Sequence, residues 1–237
     1  RTIRSAAFEN MCKDNRPSQQ LFDYHTAVAR GGVGMTTVAY ASVNRSGVSF
    51  DGQLWMREEI VPELKKLTDA VHKEGAKASI QLGHCGNMTH RSTVNLAREA
   101  GFDCVEIHAG HGYLISQFLS PYTNHREDIW GGNLENRMRF MKLVIREVMD
   151  AALDDMAVVV KINMFDGMKK GIHEDEAILI AKELEKLGVH ALVLSAGFVS
   201  KAPEKVINEE KAKQVKYEEM LAKVIDRLAI VEKKVGK

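Results

Sequence analysis

Cysteine is scarce in this chain. Only Cys12, Cys85 and Cys104 carry a thiol among its 237 residues, and no two of them form a CxxC pair. That argues against a disulfide framework, and it leaves too few thiolates for an iron–sulfur cluster, which usually takes four. Long apolar runs are missing too. None approaches the ~20 residues that a membrane-crossing helix needs. Charge of one sign is also lacking: 33 Lys and Arg stand against 32 Asp and Glu, for a formal net charge of +1. Nothing global therefore points to nucleic acid or to a membrane surface. A cytoplasmic protein with reduced thiols is the expectation. No GxGxxG follows the first apolar run, so a dinucleotide-binding open sheet loses support.

What is present is an alternation. Short apolar runs at Thr2–Phe8, Gly34–Ala39, Lys77–Leu82, Cys104–His108, Val158–Asn163 and Ala191–Ser195 are rich in Val, Ile or Thr and bounded by Gly, Asp or His. Runs of this kind suit strands buried on both faces. Between them lie amphipathic stretches, Ser18–Arg30, Glu58–Glu74, Glu135–Leu153 and Glu174–Leu187, with apolar residues three and four apart. Gly31, Gly75 and Gly188 follow three of these stretches and predict left-handed helix ends. Strand, helix, strand at this spacing predicts a parallel sheet with right-handed crossovers. Six strands fall short of a (β/α)8 TIM barrel, which usually takes about 250 residues. The expected fold is therefore an α/β incomplete barrel over residues 1–198.

Residues 199–237 read differently. They are rich in Lys and Glu, and Tyr217, Leu221, Val224, Leu228, Val231 and Val235 recur at alternating four and three. That spacing predicts a charged helical segment, a short coiled-coil seam or a helix packed on the barrel.

The stretch with chemistry in it runs from His108 through Gly110, His111, Gly112, Tyr113 and Gln117-Phe118-Leu119 to Gly131-Gly132-Asn133-Leu134-Glu135-Asn136-Arg137. It follows the predicted strand Cys104–His108, and polar groups after a barrel strand sit at the catalytic face. His108 and His111 can donate hydrogen bonds to an anionic or carbonyl oxygen, and Tyr113 offers a phenolic proton. On residue type alone, a structural role serves equally well. A metal site finds no supporting Cys, Asp or Glu at ligand spacing.

This stretch resembles the signature of the old yellow enzyme family, in its dienoyl-CoA and enoate reductase branch. Asn133 stands where the family has Ser, and Trp130 where it has Tyr or Phe. The resemblance implies bound FMN, NADH or NADPH as electron donor, and an α,β-unsaturated carbonyl compound as small-molecule acceptor. It also implies roles for single residues. Ser5, Ala6 and Ala7 at the first strand and Ala39 at the second fall beside the flavin. Gln81 matches the amide that hydrogen-bonds the flavin pyrimidine, and Lys161 takes the place of the usual Arg near N1 and O2. His108 and His111 would bind the acceptor's oxygen, and Tyr113 would protonate its α-carbon as hydride reaches the β-carbon.

The chain also departs from that family. After the third strand roughly forty residues are missing by comparison, leaving about two helical turns where a crossover takes a full helix. The resemblance ends near Phe198, so the strands that hold the cofactor phosphate are expected to be absent. From Phe198 on, the sequence is similar to the C-terminal coiled-coil arm of valyl-tRNA synthetases, which implies tRNA or protein contact through the tail. The alternative expectation is thus an inert barrel fragment or chimera with an interacting tail. An open sheet edge adds an expectation of self-association.

Overall fold

The computed structural model describes residues 2–48, 50–84 and 91–195. The expected seam over 199–237, the junction at Phe198 and the apparent gap at His90 lie outside these residues. Seven parallel-paired strands are present: β1 (Ile3–Arg4), β2 (Met35–Ser42), β3 (Leu54–Trp55), β4 (Lys77–Gly83), β5 (Cys104–Ala109), β6 (Ala157–Asn163) and β7 (Ala191–Ser195). Six of them run in chain order, β1-β2-β4-β5-β6-β7, and β3 pairs with β2 beside that path. The helices are α1 (Gln19–Arg30), α2 (Val61–Lys73), α3 (Arg91–Glu99), α4 (Leu114–Leu119), α5 (Leu134–Ala152) and α6 (Glu174–Lys186). The sheet curls as part of a TIM barrel. β3 and α4, each short, are the elements that periodicity misses.

Local chemistry sets the helix ends. Ser18 caps α1 by accepting from the Leu21 N–H, and Asn133 caps α5 by accepting from the Asn136 N–H at 2.9 Å. Gly75 and Gly188 take the expected positive φ, but after α1 it is Gly32, at φ +91°, and not Gly31 that does so. The reason is that Gly31 still bonds to Ala27 O and Ala29 O in a right-handed turn, so the reversal falls one residue later.

Alternation along each strand separates two faces. One carries Ile80, Leu82, Val105, Ile107, Val158, Val160 and Ile162, buried under the helices. Leu64, Leu67 and Val71 of α2 and Met141 and Ile145 of α5 pack in the same core. The short α3 still fills its place, because Val94, Ala97 and Ala100 are fully buried and the helix touches both α2 and α5. The other face is concave and polar: Ser79, Gln81, Glu106, His108, Lys161 and Asn163, all buried. Among the described residues β7 pairs with β6 alone, and Leu194 on it is exposed. No described helix is long and apolar enough to cross a membrane.

Candidate active site

The end of β5 builds the centre of the site. His108 is the penultimate residue of the strand, and a sharp turn follows, with His111 at φ +55° and Gly112 at φ +76°. Asn163 at the end of β6 fixes this turn. Its Oδ1 accepts from the His111 N–H at 3.1 Å, and its Nδ2 donates to Asp166 at 3.0 Å. A side chain at Gly110 would bring its Cβ to 2.7 Å from Asn163 Oδ1, so the close approach requires glycine. The turn folds Tyr113 back over the strand. The His108 ring lies edge-on to His111 at 5.1 Å and to Tyr113 at 4.5 Å between centroids.

The protonation of His108 follows from its surroundings. Burial lowers its pKa well below the ordinary histidine value, and the charges of His111 and Lys161 push the same way. Its Nδ1 accepts from the Gly110 N–H at 3.3 Å. A neutral imidazole whose Nδ1 accepts carries its proton on Nε2. His108 is thus a donor that keeps its neutral form at neutral pH. His111 is also held low, by burial first and by the Lys161 charge second. Its Nε2 is 2.6 Å from Ser195 Oγ at the end of β7.

A cavity of about 380 Å³ opens beside these rings, within the usual range for small-molecule sites. Ala6, Ala7, Ala39, Gln81, His108, His111, Tyr113 and Lys161 all line it. Of the residues the sequence singles out, Ser5 alone stays apart: it is exposed and does not line the cavity. Gln81 on β4 and Glu106 on β5 are register partners, and Gln81 Nε2 donates to Glu106 Oε1 at 2.5 Å. His108 and Lys161 are register partners one step further along. The Lys161 ammonium donates to Ala6 O at 3.1 Å, which ties β6 to the segment after β1. Burial raises the Glu106 pKa, and the Gln81 hydrogen bond and the charges of Lys161 and Arg4 offset only part of that rise.

Eleven other lining residues escape sequence reasoning, among them Glu9, Cys12, Tyr40 and Phe50. Burial alone would raise the Glu9 pKa, but the His25 hydrogen bond, the His25 and Arg4 charges and the Ala39 N–H together bring it below the ordinary carboxyl value. The Arg4 guanidinium is 2.5 Å away and the Ala39 N–H 3.0 Å. Burial first, and Glu9 second, push the Cys12 thiol up to about 12, so it is no thiolate at neutral pH. Tyr40 stacks on Tyr113 with centroids 4.7 Å apart. An aromatic between Ala39 and Ala41 was the one signal available for it in the sequence. Among the described residues no group of three or more His, Cys, Asp or Glu could hold a metal ion.

Parallel strands in chain order, with two histidines, a tyrosine, an amide and a lysine at their C-terminal ends around one cavity, define a barrel-type α/β protein with its site at the strand tips. The chain belongs to the NADH:flavin oxidoreductase / NADH oxidase family, whose model matches residues 2–95 and 88–232. The family brings FMN as cofactor and a reduced nicotinamide as donor. A 4,4'-dithiodibutanoate disulfide reductase of Rhodococcus erythropolis is 36% identical over 236 positions, covering 83% of this chain and 59% of the relative. An NADPH dehydrogenase of Listeria monocytogenes is 33% identical over 81% of this chain and 67% of its own length. Among solved structures, a 2-naphthoyl-CoA reductase complex superposes with a TM-score of 0.78 at 25% identity, over 90% of this chain and 42% of that one. An old yellow enzyme homologue from Zymomonas mobilis shares the fold, with a TM-score of 0.73 at 22% identity over 82% of this chain and 68% of its own.

These alignments bear on the short crossover. Coverage of 83% of 237 residues is about 197 residues, so about 39 of the 236 aligned positions of the Rhodococcus relative face no residue here. The two family matches overlap at 88–95, where the polypeptide passes from β4 to α3. The second match also runs to residue 232, through the segment that composition sets apart. The chain spans about three fifths of the first relative.

The cavity suits the ring of a flavin. Three alanines stand in its lining, and Gln81 and Lys161 supply an amide and a cation. Among the described lining residues Lys161 is the single Lys or Arg, so this part of the site fits the ring and not the phosphate tail.

Proposed function

We propose that this chain carries the catalytic face of an FMN-dependent oxidoreductase that takes hydride from NADH or NADPH and reduces an α,β-unsaturated carbonyl compound. Bound FMN supplies the hydride chemistry. Gln81 would hydrogen-bond the pyrimidine edge of the ring, and Lys161 would stabilise the negative charge of its reduced form. Ala6, Ala7 and Ala39 would leave the ring its space.

His108 donates from Nε2 to the acceptor's carbonyl oxygen, with His111 beside it. Both donors act on the enolate-like charge that grows as hydride arrives at the β-carbon, and so favour the transition state over the ground state. The alkene's π electrons then take the Tyr113 phenolic proton at the α-carbon, and water returns a proton to the phenolate. The low pKa of His108 keeps it a neutral donor. A hydrogen bond, and not proton transfer, is its contribution.

The observation that carries this reading is the convergence of Gln81, Lys161, His108, His111 and Tyr113 on one cavity. The test is purification of the full chain and measurement of bound flavin, followed by titration with a phenol. Stoichiometric FMN and a long-wavelength charge-transfer band on phenol binding are expected. Purified chain that takes up no FMN, even with excess added, would overturn the proposal.

A further inference from the structure

β2 contains one residue too many. Val38 pairs with Ile80 and Ala41 with Leu82, so Ala39 and Tyr40 together stand opposite the single residue Gln81. This is a β-bulge, and such bulges re-aim side chains next to active sites. In a regular strand Ala39 and Tyr40 would face opposite sides. Here both line the cavity with Gln81. Tyr40 has φ +25°, a backbone conformation that a bulky residue adopts only when its surroundings impose it.

Those surroundings are specific. The Tyr40 ring lies nearly parallel to that of Tyr113, at 4.7 Å and 21°, and edge-on to His108 at 5.9 Å. Its hydroxyl donates to Gly47 O at 3.4 Å, and the side chain is buried. Gly83 gives it room, because a Cβ there would come within 2.2 Å of the Tyr40 ring. Tyr113 itself is less buried and caps a helix of six residues. One side of the Tyr113 ring is therefore set by Tyr40.

We infer that Tyr40 is a positioning residue: the β2 bulge turns its ring into the site as a platform that fixes Tyr113 in the orientation needed to deliver a proton to one face of the acceptor. The inference rests on the proton-donor role of Tyr113 proposed above. A misplacement of about 1 Å can slow a step roughly a hundredfold, so the platform governs rate and stereochemistry without touching the proton it directs.

The test compares Tyr40→Leu, Tyr40→Phe and Tyr113→Phe in the full FMN-loaded chain, with 2-methylcyclohexenone as acceptor. Flavin reduction by NADH or NADPH is followed separately from its reoxidation. Tyr40→Leu is expected to slow reoxidation on the order of tenfold to a hundredfold, to leave flavin reduction within about twofold, and to place solvent deuterium on both faces of the α-carbon. Tyr40→Phe keeps the ring and should behave as the parent. In the chain labelled with 13C-tyrosine, the ring-current shift of the Tyr113 signals should vanish in Tyr40→Leu and persist in Tyr40→Phe. Should the leucine variant fail to fold, Tyr40→Met is read in the same way. Parent-like reoxidation, single-face deuteration or a Tyr113 signal that keeps its parent ring-current shift in Tyr40→Leu would overturn the inference. If Tyr113→Phe reoxidises normally, the donor assignment fails instead, and the Tyr113 signals still report whether Tyr40 holds that ring.

Discussion

His111 Nε2 lies 2.6 Å from Ser195 Oγ, a contact between residues 84 positions apart that joins the turn after β5 to the end of β7. A hydroxyl can donate or accept, so Ser195 can serve the neutral imidazole in either tautomer. Its effect is to hold the ring while the Asn163 carbonyl holds the backbone of the same residue. Ser195→Ala should weaken phenol binding by about 1 kcal/mol, roughly fivefold. His111→Ala should weaken it further, and Ser195→Ala added to His111→Ala should then cost little. Additive losses in a fluorescence or absorbance titration would show that Ser195 does not act through His111.

Tyr113→Phe removes the proposed proton and leaves the ring. Positioned acids contribute about 10²–10⁴-fold, so reoxidation by an enone should slow by that order while reduction by NADH or NADPH is unchanged. Stopped-flow spectroscopy separates the two steps. Equal slowing of both would remove Tyr113 from the donor role.

Three histidines, His84 and His108 buried and His111 partly so, predict how stability varies with pH. Burial lowers the pKa of His84, His108 and His111. A histidine held low takes up protons more readily when unfolded, so its contribution is complete above the unfolded value, about 6.5, and is lost as pH falls through and below it. Glu106 works in the opposite sense: its pKa is raised, and its contribution fades as pH rises through the folded value. Glu9 and Asp103 are held low and are lost only in more acid solution. The melting temperature should therefore fall between pH 7 and 5. His108→Gln should make that fall shallower, and thermal melts across the range would read the slope.

Gly83 faces Tyr40 so closely that even a methyl group must displace something. An added Cβ would also lie 3.3 Å from His108 Cβ. Gly83→Ala should cost about 1–3 kcal/mol, the usual cost of overpacking. At about 2–4 °C per kcal/mol for a chain of this size, the melting temperature should drop visibly. In a Tyr40→Leu background the same change should cost less, because the clashing ring is gone. Equal costs in the two backgrounds would mean that the strain is relieved elsewhere.

The residues explain how much of this the sequence discloses. The strands β2, β4, β5 and β6 are legible because both faces are buried, which leaves continuous runs such as Val158-Val159-Val160, and β7 is legible from its apolar run although none of its residues is fully buried. β1 is shorter than its apolar run, since only Ile3 and Arg4 find partners on β2. The site is legible where a motif is contiguous, as at His108, His111 and Tyr113. Gln81 and Lys161 carry no local signal, and the role proposed for them rests on the family resemblance alone. Tyr40 was hidden because a bulge leaves no mark on apolar periodicity. The family resemblance puts Ser5 with Ala6 and Ala7; Ser5 and Ala7 are exposed and Ala6 is buried, and of the three Ser5 alone does not line the cavity. The Arg4–Glu9–His25 cluster is a matter of three-dimensional approach between α1 and the segment after β1.

The order of the strands governs the order in which the site comes together. Because each main strand lies beside the next one in the chain, a polypeptide leaving the ribosome can add them one at a time. Tyr40 and Gln81 emerge before the His108 turn, Lys161 and Asn163 follow it, and Ser195 arrives last. Until β6 docks, His108 lacks its neighbouring ammonium and His111 lacks the carbonyl that bends its backbone. A nascent chain halted before β6 should therefore hold a sheet but no working mouth, and cofactor capture becomes a late event in biosynthesis.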